Sequence, residues 1–338
     1  MRRRVFLASL GAAGCGPPRP RLNVFNWSAY LAPGTLPDFE KESGVRVRYA
    51  VYESNEEMLA RILGGNSGWD VVFPSNYLIA PLRDYNLLQP LRHEWLPNLD
   101  HLDQRFRSPE WDPELSWSVP YMWGATGILY NRSLDPPPVS WKDLWSPRLE
   151  RRITMLDDPA EVFAACLRKL GYPLNSADPA RLRAAQREAL AQKRMLRAYL
   201  NAEVRDQVVA GDVLAAQLWA TTAQQAIDAS PHLAFAYPSE GFPLYADNAV
   251  ILRESRRARL AHRFLDYLLR PPVNAAIAAA SFTATTNAGA WRLLPESVRK
   301  SPVLYPAADV LARGEWFAAM PPAAQRLRDR LWTEIKSA

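Results

Sequence analysis

Residues 118–131, SVPYMWGATGILYN, restrict the possible fold of this 338-residue chain more than any other stretch. Two short apolar strands are predicted within it, at 119–123 and 128–130, and between them lie two glycines and two small residues that allow a bend or a close backbone approach. Strands alternate with helices on both sides of it. We therefore interpret it as the crossover between two α/β lobes, with a return crossing at 245–252. Paired crossing strands form a hinge, and the cleft between two lobes is a preferred place for a small ligand.

The residues before the crossover alternate between strands and helices. Strands are predicted at 22–27, 45–52 and 69–73, and a helical pattern follows each of them. This order predicts a doubly wound α/β lobe, in which ligands bind beyond the carboxyl ends of the strands. Residues 27–30 and 75–77 lie at two of these ends, so we expect them to face a ligand site.

The residues after the crossover repeat the alternation. We predict a long basic helix over 178–199, a last helix over 323–335, and Thr221 or Thr222 as the N-cap of a third helix. Residues 86–117 show no clear periodicity and are not assigned. Three further strands are predicted, at 153–156, 213–219 and 233–237.

The two crossings divide the chain into two lobes that are each made of two segments. Lobe 1 is predicted to comprise 22–122 and 248–300, and lobe 2 to comprise 123–247 and 301–338. The helices after the return crossing would then pack back on lobe 1, and the last helix would pack on lobe 2. The predicted fold class is α/β, with two doubly wound lobes joined by crossing strands.

The first residues have the composition of an export signal rather than of a folded element. A basic segment with Arg3-Arg4, similar to twin-arginine signals, precedes a short apolar run and a small-residue cleavage site. We predict a signal peptide with a lipobox over 1–15 that is cleaved before Cys15, lipidation of Cys15, and a tether over 16–21. The protein would then be held on the outer side of the cytoplasmic membrane. The alternative is a plain secretory signal with an incidental cysteine.

Charge and motif content exclude several classes of function. The net charge is +6, but no dense basic run follows the leader, so nucleic acid is a poor candidate partner. The sequence lacks the serine-hydrolase, metalloprotease, phosphate-loop and Cys-x-x-Cys motifs, and its four histidines have no ligand spacing. We therefore predict no catalysis, no cofactor and no metal. Cys166, the only cysteine besides Cys15, lies in an apolar run and is expected to be a buried core residue.

Carboxylates and aromatic residues gather at the predicted strand ends of both lobes. Ring faces attract ammonium groups and cover methylenes, while carboxylates accept charge-assisted hydrogen bonds. The set therefore suits a cationic, partly apolar ligand. Its members are Trp27, Tyr30, Tyr77, Asp158, Glu161, Trp219, Tyr245 and Asp247.

Each member also has a purely structural interpretation. In Asp158-Pro159-Ala160-Glu161, the two acids have the N-cap and N3 positions of a helix and could serve only that helix. Trp219 at the end of a strand could be core, and Asp247 beside Asn248 could cap a turn. Residue types alone leave these alternatives open.

Eight short motifs occur in a fixed order along the chain. They are Asn26-Trp27-Ser28-x-Tyr30, Tyr52-Glu53-Ser54-Asn55-Glu56, Val72-x-Pro74-Ser75-x-Tyr77, Pro120-Tyr121-x-Trp123-Gly124-Ala125-Thr126, Asp157-Asp158-x-x-Glu161-Val162-Phe163, Leu170-Gly171-Tyr172, Tyr305-Pro306 and Gly314-Glu315-Trp316. In this order and at these distances the chain resembles the bacterial spermidine/putrescine-binding proteins, the extracytoplasmic receptors of polyamine ABC transporters. The resemblance runs from residue 22 nearly to the C-terminus.

The resemblance implies a two-lobed, type II periplasmic-binding-protein fold with a polyamine in the cleft. It also implies a membrane permease as partner, a periplasmic location, and a monomer without catalytic activity. The ligand-binding residues that it implies are Trp27, Ser28, Tyr30, Ser75, Tyr77, Asp158, Glu161, Trp219, Tyr245, Asp247 and Phe282.

The chain departs from the family pattern around the implied cleft. Ala29 stands where the family carries an acid, Tyr245 where it usually carries Trp, and Phe317 where it carries a polar residue. The turn at 281–287 is one residue longer. Without the acid, the end of the cleft at Ala29 would be apolar, which favours a longer ligand whose extra amine reaches solvent or a backbone carbonyl, or a ligand with only one strongly basic end. We therefore expect spermidine to be favoured over putrescine. The alternatives are another amine-bearing ligand on the same scaffold or, in a different class, a hydrolase that uses paired carboxylates.

Overall fold

The computed structural model describes residues 19–338. The predicted signal peptide over 1–15, the lipidation site Cys15 and the first half of the tether over 16–21 lie outside the described residues. Within the described range, no helix combines the length with the apolar character that crossing a bilayer demands.

Residues 19–338 form eleven strands and thirteen α-helices, and six short 3-10 helices lie in the connections. The strands are β1 (Arg21–Trp27), β2 (Arg46–Tyr52), β3 (Val71–Val72), β4 (Val119–Asn131), β5 (Ile153–Met155), β6 (Leu196–Tyr199), β7 (Ala215–Trp219), β8 (Leu233–Ala236), β9 (Phe242–Ile251), β10 (Ala284–Thr285) and β11 (Gly314–Trp316). The helices are α1 (Thr35–Ser43), α2 (Asn55–Ile62), α3 (Ile79–Asp84), α4 (Pro159–Lys169), α5 (Pro179–Lys193), α6 (Val204–Val209), α7 (Ala220–Ala229), α8 (Ala258–Leu269), α9 (Pro271–Ser281), α10 (Ala288–Trp291), α11 (Glu296–Arg299), α12 (Ala308–Leu311) and α13 (Pro322–Ser337).

Two long strands, β4 and β9, join the two halves of one continuous sheet. β9 pairs antiparallel with β3, which belongs to the parallel set β2-β1-β3, and β4 pairs antiparallel with β7 and β8 of the other half. Between these contacts, β4 and β9 pair with each other over 119–125 and 244–249. We call the half that contains β1, β2 and β3 lobe 1, and the half that contains β5, β6, β7 and β8 lobe 2. The predicted pair of crossing strands is therefore confirmed.

β4 is one continuous strand of 13 residues, so the prediction of two short strands within it is wrong. The two glycines in it serve a close approach rather than a bend. A Cβ on Gly124 would lie 2.5 Å from the hydroxyl oxygen of Tyr245, and a Cβ on Gly127 would lie 2.6 Å from the carbonyl oxygen of Ala236. Because both positions lack a side chain, groups of the neighbouring strands lie directly on β4.

Each lobe has its own apolar core. Phe264 of α8 and Ile277 of α9 belong to the buried cluster that includes Leu22 of β1. Leu331 of α13 belongs to the buried cluster that includes Cys166 of α4. The predicted packing of these helices and the predicted burial of Cys166 are confirmed. Each large apolar side chain that is fully buried in this way contributes about 1.5–3 kcal/mol.

Three local predictions are wrong. The helix predicted over 178–199 ends before β6, because β6 pairs in parallel with β5 and this non-local pairing overrides the helical pattern. Of the strand predicted over 69–73, only β3 joins the sheet. Thr221 and Thr222 do not cap α7, since Trp219 has the N-cap position and no side chain caps the helix. Both threonines lie in its first turn instead.

Candidate ligand-binding site

A cavity lies between the lobes, where β1, β2, β3, β5 and β7 end. A cleft of this kind is a preferred place for a small ligand. Both lobes and the return strand β9 contribute to its lining. The lining residues are Trp27, Ser28, Ala29, Tyr30, Glu53, Asn55, Ser75, Tyr77, Asp158, Glu161, Ala202, Trp219, Thr221, Thr222, Gln225, Tyr245, Asp247 and Phe317.

The residues predicted for the ligand site line this cavity, with the exception of Phe282. Phe282 ends α9 in the left-handed conformation, with a φ of 53°, and it packs against the core of lobe 1. A ring held there by the end of the helix is not part of the cavity wall. Phe282 therefore does not line the cavity, and its role in ligand binding stays a prediction.

Asp247 is a buried carboxylate on β9, and only 3% of the residue is exposed. The Tyr30 hydroxyl donates a hydrogen bond to its Oδ2 and the Ser75 hydroxyl donates one to its Oδ1, both at 2.8 Å. Burial raises the pKa of Asp247 to about 7, and the two hydrogen bonds offset this effect only in part. Both donors are neutral, so neither supplies a counter-charge when Asp247 is ionised.

Glu161 is the second buried carboxylate, in the first turn of α4. Its Oε1 accepts hydrogen bonds from the Thr126 hydroxyl at 2.8 Å and from the Trp219 indole at 3.0 Å. Its Oε2 is buried and has no hydrogen-bond partner within residues 19–338. Burial, and secondly the nearby Asp158 carboxylate, raise the pKa of Glu161. Glu161 therefore keeps one acceptor atom available inside the cavity.

Asp158 has a structural role as well as a position in the cavity wall. It is the N-cap of α4, and its Oδ1 accepts hydrogen bonds from the backbone N–H groups of Ala160 at 2.8 Å and Glu161 at 3.1 Å. Burial raises its pKa, while these backbone hydrogen bonds and the charge of Arg328 act in the opposite direction. Asp158 thus serves the helix, whereas the Glu161 side chain makes no capping hydrogen bond.

Asn55 organises the wall that lobe 1 contributes. Its Nδ2 donates hydrogen bonds to the hydroxyl oxygens of Ser75 at 3.1 Å and Tyr77 at 2.9 Å. The indole of Trp27 donates to the carbonyl oxygen of Phe73 at 2.8 Å. These bonds fix two rings of the wall and orient the serine hydroxyl that faces Asp247.

Six lining residues were not predicted from the sequence. Glu53 is the most informative of them, because it directly follows β2, and the rule that ligands bind at strand ends could have found it. The Ser28 hydroxyl donates a hydrogen bond to its Oε2 at 2.8 Å. Glu53 and Asn55 also belong to the motif Tyr52-Glu53-Ser54-Asn55-Glu56, whereas the other four residues have no signal in a single sequence that separates them from ordinary helix or loop positions. The six are Glu53, Asn55, Ala202, Thr221, Thr222 and Gln225.

The lining has four carboxylates and no lysine, arginine or histidine. None of the four acids forms an ion pair within residues 19–338. In the same part of the chain, no three His, Cys, Asp or Glu side chains are grouped to hold a metal ion. Six aromatic rings also line the cavity, so it can bind an organic cation and cover its apolar part. The rings belong to Trp27, Tyr30, Tyr77, Trp219, Tyr245 and Phe317.

Known relatives match most of the chain. The family model described as "Bacterial extracellular solute-binding protein" matches residues 36–302. The spermidine/putrescine-binding periplasmic protein of Salmonella typhimurium is 34% identical over 298 residues, which cover 87% of this chain and 86% of the relative. The putrescine-binding periplasmic protein PotF of Escherichia coli is 32% identical over 337 residues, which cover 94% of this chain and 91% of the relative.

Solved structures have the same fold. A chain described as a spermidine/putrescine ABC transporter from Listeria monocytogenes aligns with a TM-score of 0.90 at 31% identity, over 94% of this chain and 98% of that one. The Tp0655 (TpPotD) lipoprotein of Treponema pallidum aligns with a TM-score of 0.83 at 26% identity, over 93% of this chain and 99% of that one.

Proposed function

Because this chain belongs to the bacterial extracellular solute-binding proteins, we propose that it binds a polyamine in the cavity between its lobes. The predicted α/β fold, with two lobes of the type II periplasmic-binding-protein kind, is confirmed. We propose further that the protein delivers its ligand to the membrane permease of an ABC transporter. Closure of the two lobes on the ligand is then its functional step.

The observation that carries this proposal is the charge balance of the cavity. Glu161 and Asp247 are buried carboxylates without a cationic partner among residues 19–338, and Oε2 of Glu161 has no hydrogen-bond partner there. Burial of an ionised carboxylate is unfavourable unless a counter-charge joins it. An ammonium group supplies that charge together with three N–H donors. A methylene chain attached to it can lie against the six rings.

We propose spermidine rather than putrescine as the preferred ligand. The cavity offers four carboxylates, because Glu53 adds to the three acids predicted from the sequence. Spermidine carries three positive charges and putrescine two, so spermidine leaves fewer carboxylates without a counter-charge. Another amine-bearing metabolite on the same scaffold is the alternative ligand.

We propose that the protein works in the periplasm as a monomer, held to the outer face of the cytoplasmic membrane by a lipid on Cys15 after export by the twin-arginine route. Two relatives are named periplasmic proteins, and one structural neighbour is named a lipoprotein. Mass spectrometry of the membrane fraction tests the diacylated N-terminus. The moving bodies are proposed to be 22–122 with 248–300, and 123–247 with 301–338.

We propose that the protein has no catalytic activity. In a hydrolase with paired carboxylates, one acid protonates the leaving group and the other attacks or activates water. Here two backbone N–H groups engage Asp158, and Thr126 and Trp219 engage Glu161. Nothing in the site therefore favours the hydrolase alternative.

Isothermal titration calorimetry of the mature protein against putrescine, cadaverine, spermidine and spermine tests the proposal, with butane-1,4-diol as the uncharged control. We expect one polyamine per chain, stronger binding of spermidine than of putrescine, and no binding of the diol. At a hundredfold excess over Kd, the ligand should add about 2.7 kcal/mol to the free energy of unfolding. If no polyamine binds and none changes Tm or the radius of gyration, the proposal is wrong.

A further inference from the structure

We infer that Glu53 is a specificity-determining residue of the cavity, which holds a second, solvent-accessible positive end of the ligand. This inference rests on the proposed function, because it assigns one pole of the ligand in the same site. It starts from the placement of Glu53 relative to Ser28. The strands β1 and β2 are parallel neighbours, and the last residue of β1, Trp27, lies opposite the last residue of β2, Tyr52. Ser28 and Glu53 are therefore adjacent at the same edge of the sheet.

The position of Glu53 is fixed from two sides. The Ser28 hydroxyl donates a hydrogen bond to Oε2 of Glu53 at 2.8 Å, and the backbone N–H of Ser28 donates to the carbonyl oxygen of Tyr52 at 3.3 Å. The backbone N–H of Glu53 donates to Oε2 of Glu57 at 3.1 Å, in the first turn of α2. The backbone contacts hold the residue in place, and the Ser28 hydroxyl orients the carboxylate without neutralising it, since the hydroxyl is not a cation.

Glu53 differs from the buried acids in its exposure to solvent. Asp247 and Glu161 are 3% and 2% exposed, whereas Glu53 lies at the exposed edge of the same cavity. Its neighbour Ala29 lines the cavity without a charge. A ligand whose ammonium groups reach only the buried acids gains nothing from Glu53. A ligand with a further ammonium at a suitable distance also gains the contact with Glu53, so Glu53 selects for charge at the far end of a chain.

Two analogues of spermidine test which end of the ligand lies near Glu53. N-propyl-1,4-diaminobutane and N-butyl-1,3-diaminopropane each lack one terminal amino group of spermidine, so that one arm ends in a methyl group. Calorimetric titration of wild type and Glu53→Gln with spermidine and with both analogues measures six affinities. We expect Glu53→Gln to weaken spermidine about two- to fivefold, the range of an exposed ion pair. It should weaken one analogue to a similar extent and leave unchanged the one that lacks the ammonium near Glu53.

Two further variants test the geometry. Ser28→Ala removes the hydroxyl that orients Glu53 and should reduce affinity for the same two ligands, by less than Glu53→Gln does. Glu114→Gln removes an equal charge from an exposed position outside the lining and should change no affinity. The effect of Glu53→Gln should also shrink at high salt, because exposed pairs are screened.

The outcomes separate this inference from the proposed function. Unchanged spermidine affinity in Glu53→Gln, or an equal loss for all three ligands, overturns the inference while polyamine binding stands. Failure of the wild type to bind any of the three ligands overturns the proposed function and the inference with it.

Discussion

The Tyr30 hydroxyl donates a hydrogen bond to the carboxylate of Asp247 at 2.8 Å and so connects the loop after β1 to the return strand β9. Ser75, which follows β3, donates to the other carboxylate oxygen, also at 2.8 Å. Three segments that are distant in sequence therefore meet at one buried acid. Both donors are neutral, and burial raises the pKa of Asp247 to about 7. In the ligand-free protein, this acid is thus protonated in a large fraction of molecules at neutral pH.

Polyamine binding should release protons and should weaken at low pH. A bound ammonium favours the ionised form of Asp247, so binding lowers the pKa of Asp247. Molecules in which Asp247 is protonated before binding therefore release that proton when the ligand binds. Glu161, whose pKa burial also raises, should act in the same direction. Affinity should therefore fall as the pH decreases from about 8 to 5, by up to about tenfold per pH unit for each group that must lose its proton.

Calorimetry at pH 6.5 in two buffers with different ionisation enthalpies measures this proton release. Asp247→Asn provides the control, because it cannot contribute a proton and should reduce the number released. Equal apparent binding enthalpies in the two buffers would contradict this prediction.

Glu161→Gln should separate binding from folding. The substitution removes the charge of a buried carboxylate that makes no capping hydrogen bond. We expect affinity for polyamines to fall by about 2–5 kcal/mol, the usual effect of removing one partner of a buried charge pair. The free energy of unfolding of the ligand-free protein should not decrease, since the lost charge had no counter-charge. Urea unfolding and calorimetric titration of the same preparation test both statements.

Asp158 should behave differently, because two backbone N–H groups of α4 depend on it. Asp158→Ala should lower the free energy of unfolding by about 0.5–2 kcal/mol, the usual effect of losing an N-cap. Asp158→Asn should keep most of that stability, since asparagine caps helices equally well. Equal unfolding midpoints for the alanine and asparagine variants would show that the cap contributes little here.

The paired crossing strands and the residues at strand ends could be predicted because their signals are local. An apolar run predicts a strand, and a polar residue after it predicts a position at the edge of the sheet, as for Ser28 and Ser75. Asp247 itself lies within β9, and the family resemblance identified it. The close pairing of Tyr30 with Asp247 required the tertiary structure, because no local pattern relates them.

The failures have different causes. β6 continues a basic helical pattern, but its residues pair with β5, and the sequence gives no sign of that partner. Glu53 follows the end of β2, but it also precedes Ser54, the N-cap of α2, and therefore resembles an ordinary solvated acid at a helix start. Phe282 ends α9 in the left-handed conformation and packs against the core of lobe 1, a placement that the sequence pattern does not show.

A hydrogen bond between lobe 2 and the helices on lobe 1 should contribute to ligand retention. Gln225 on α7 lines the cavity, and its Nε2 donates to the carbonyl oxygen of Ser281 at the end of α9 at 3.1 Å. Separation of the lobes would break this bond. We expect Gln225→Ala to raise the dissociation rate of a bound polyamine about two- to tenfold, the range of one neutral hydrogen bond. Stopped-flow competition measures the rate.

Gln224→Ala is the matched control for that variant. Gln224 is the adjacent residue on α7, lies outside the cavity lining, and accepts a hydrogen bond from Ser301 at 2.6 Å. An equal rise in dissociation rate in both variants would contradict a role that is specific to Gln225 and would indicate a general loosening of α7.

Gly124 should determine the position of an aromatic ring in the cavity. It lies directly opposite Tyr245 in the ladder between β4 and β9, and the ring covers the place where a side chain would begin. A Cβ on Gly124 would lie 2.5 Å from the hydroxyl oxygen and 2.7 Å from Cζ of Tyr245. Strand pairing fixes the backbones of β4 and β9, so the Tyr245 ring must move in Gly124→Ala. The open space beside the ring is the cavity, so we expect the ring to move into it.

We therefore expect Gly124→Ala to lower both polyamine affinity and stability. Overpacking of this kind lowers the free energy of unfolding by about 1–3 kcal/mol, and the same displacement energy would weaken binding about five- to a hundredfold. Gly64→Ala is the control, because nothing lies within 4 Å of a Cβ built there. Calorimetric titration and urea unfolding of both variants provide the measurement. Wild-type affinity in Gly124→Ala would mean that the Tyr245 ring moves away from the ligand space, and that its position does not limit binding.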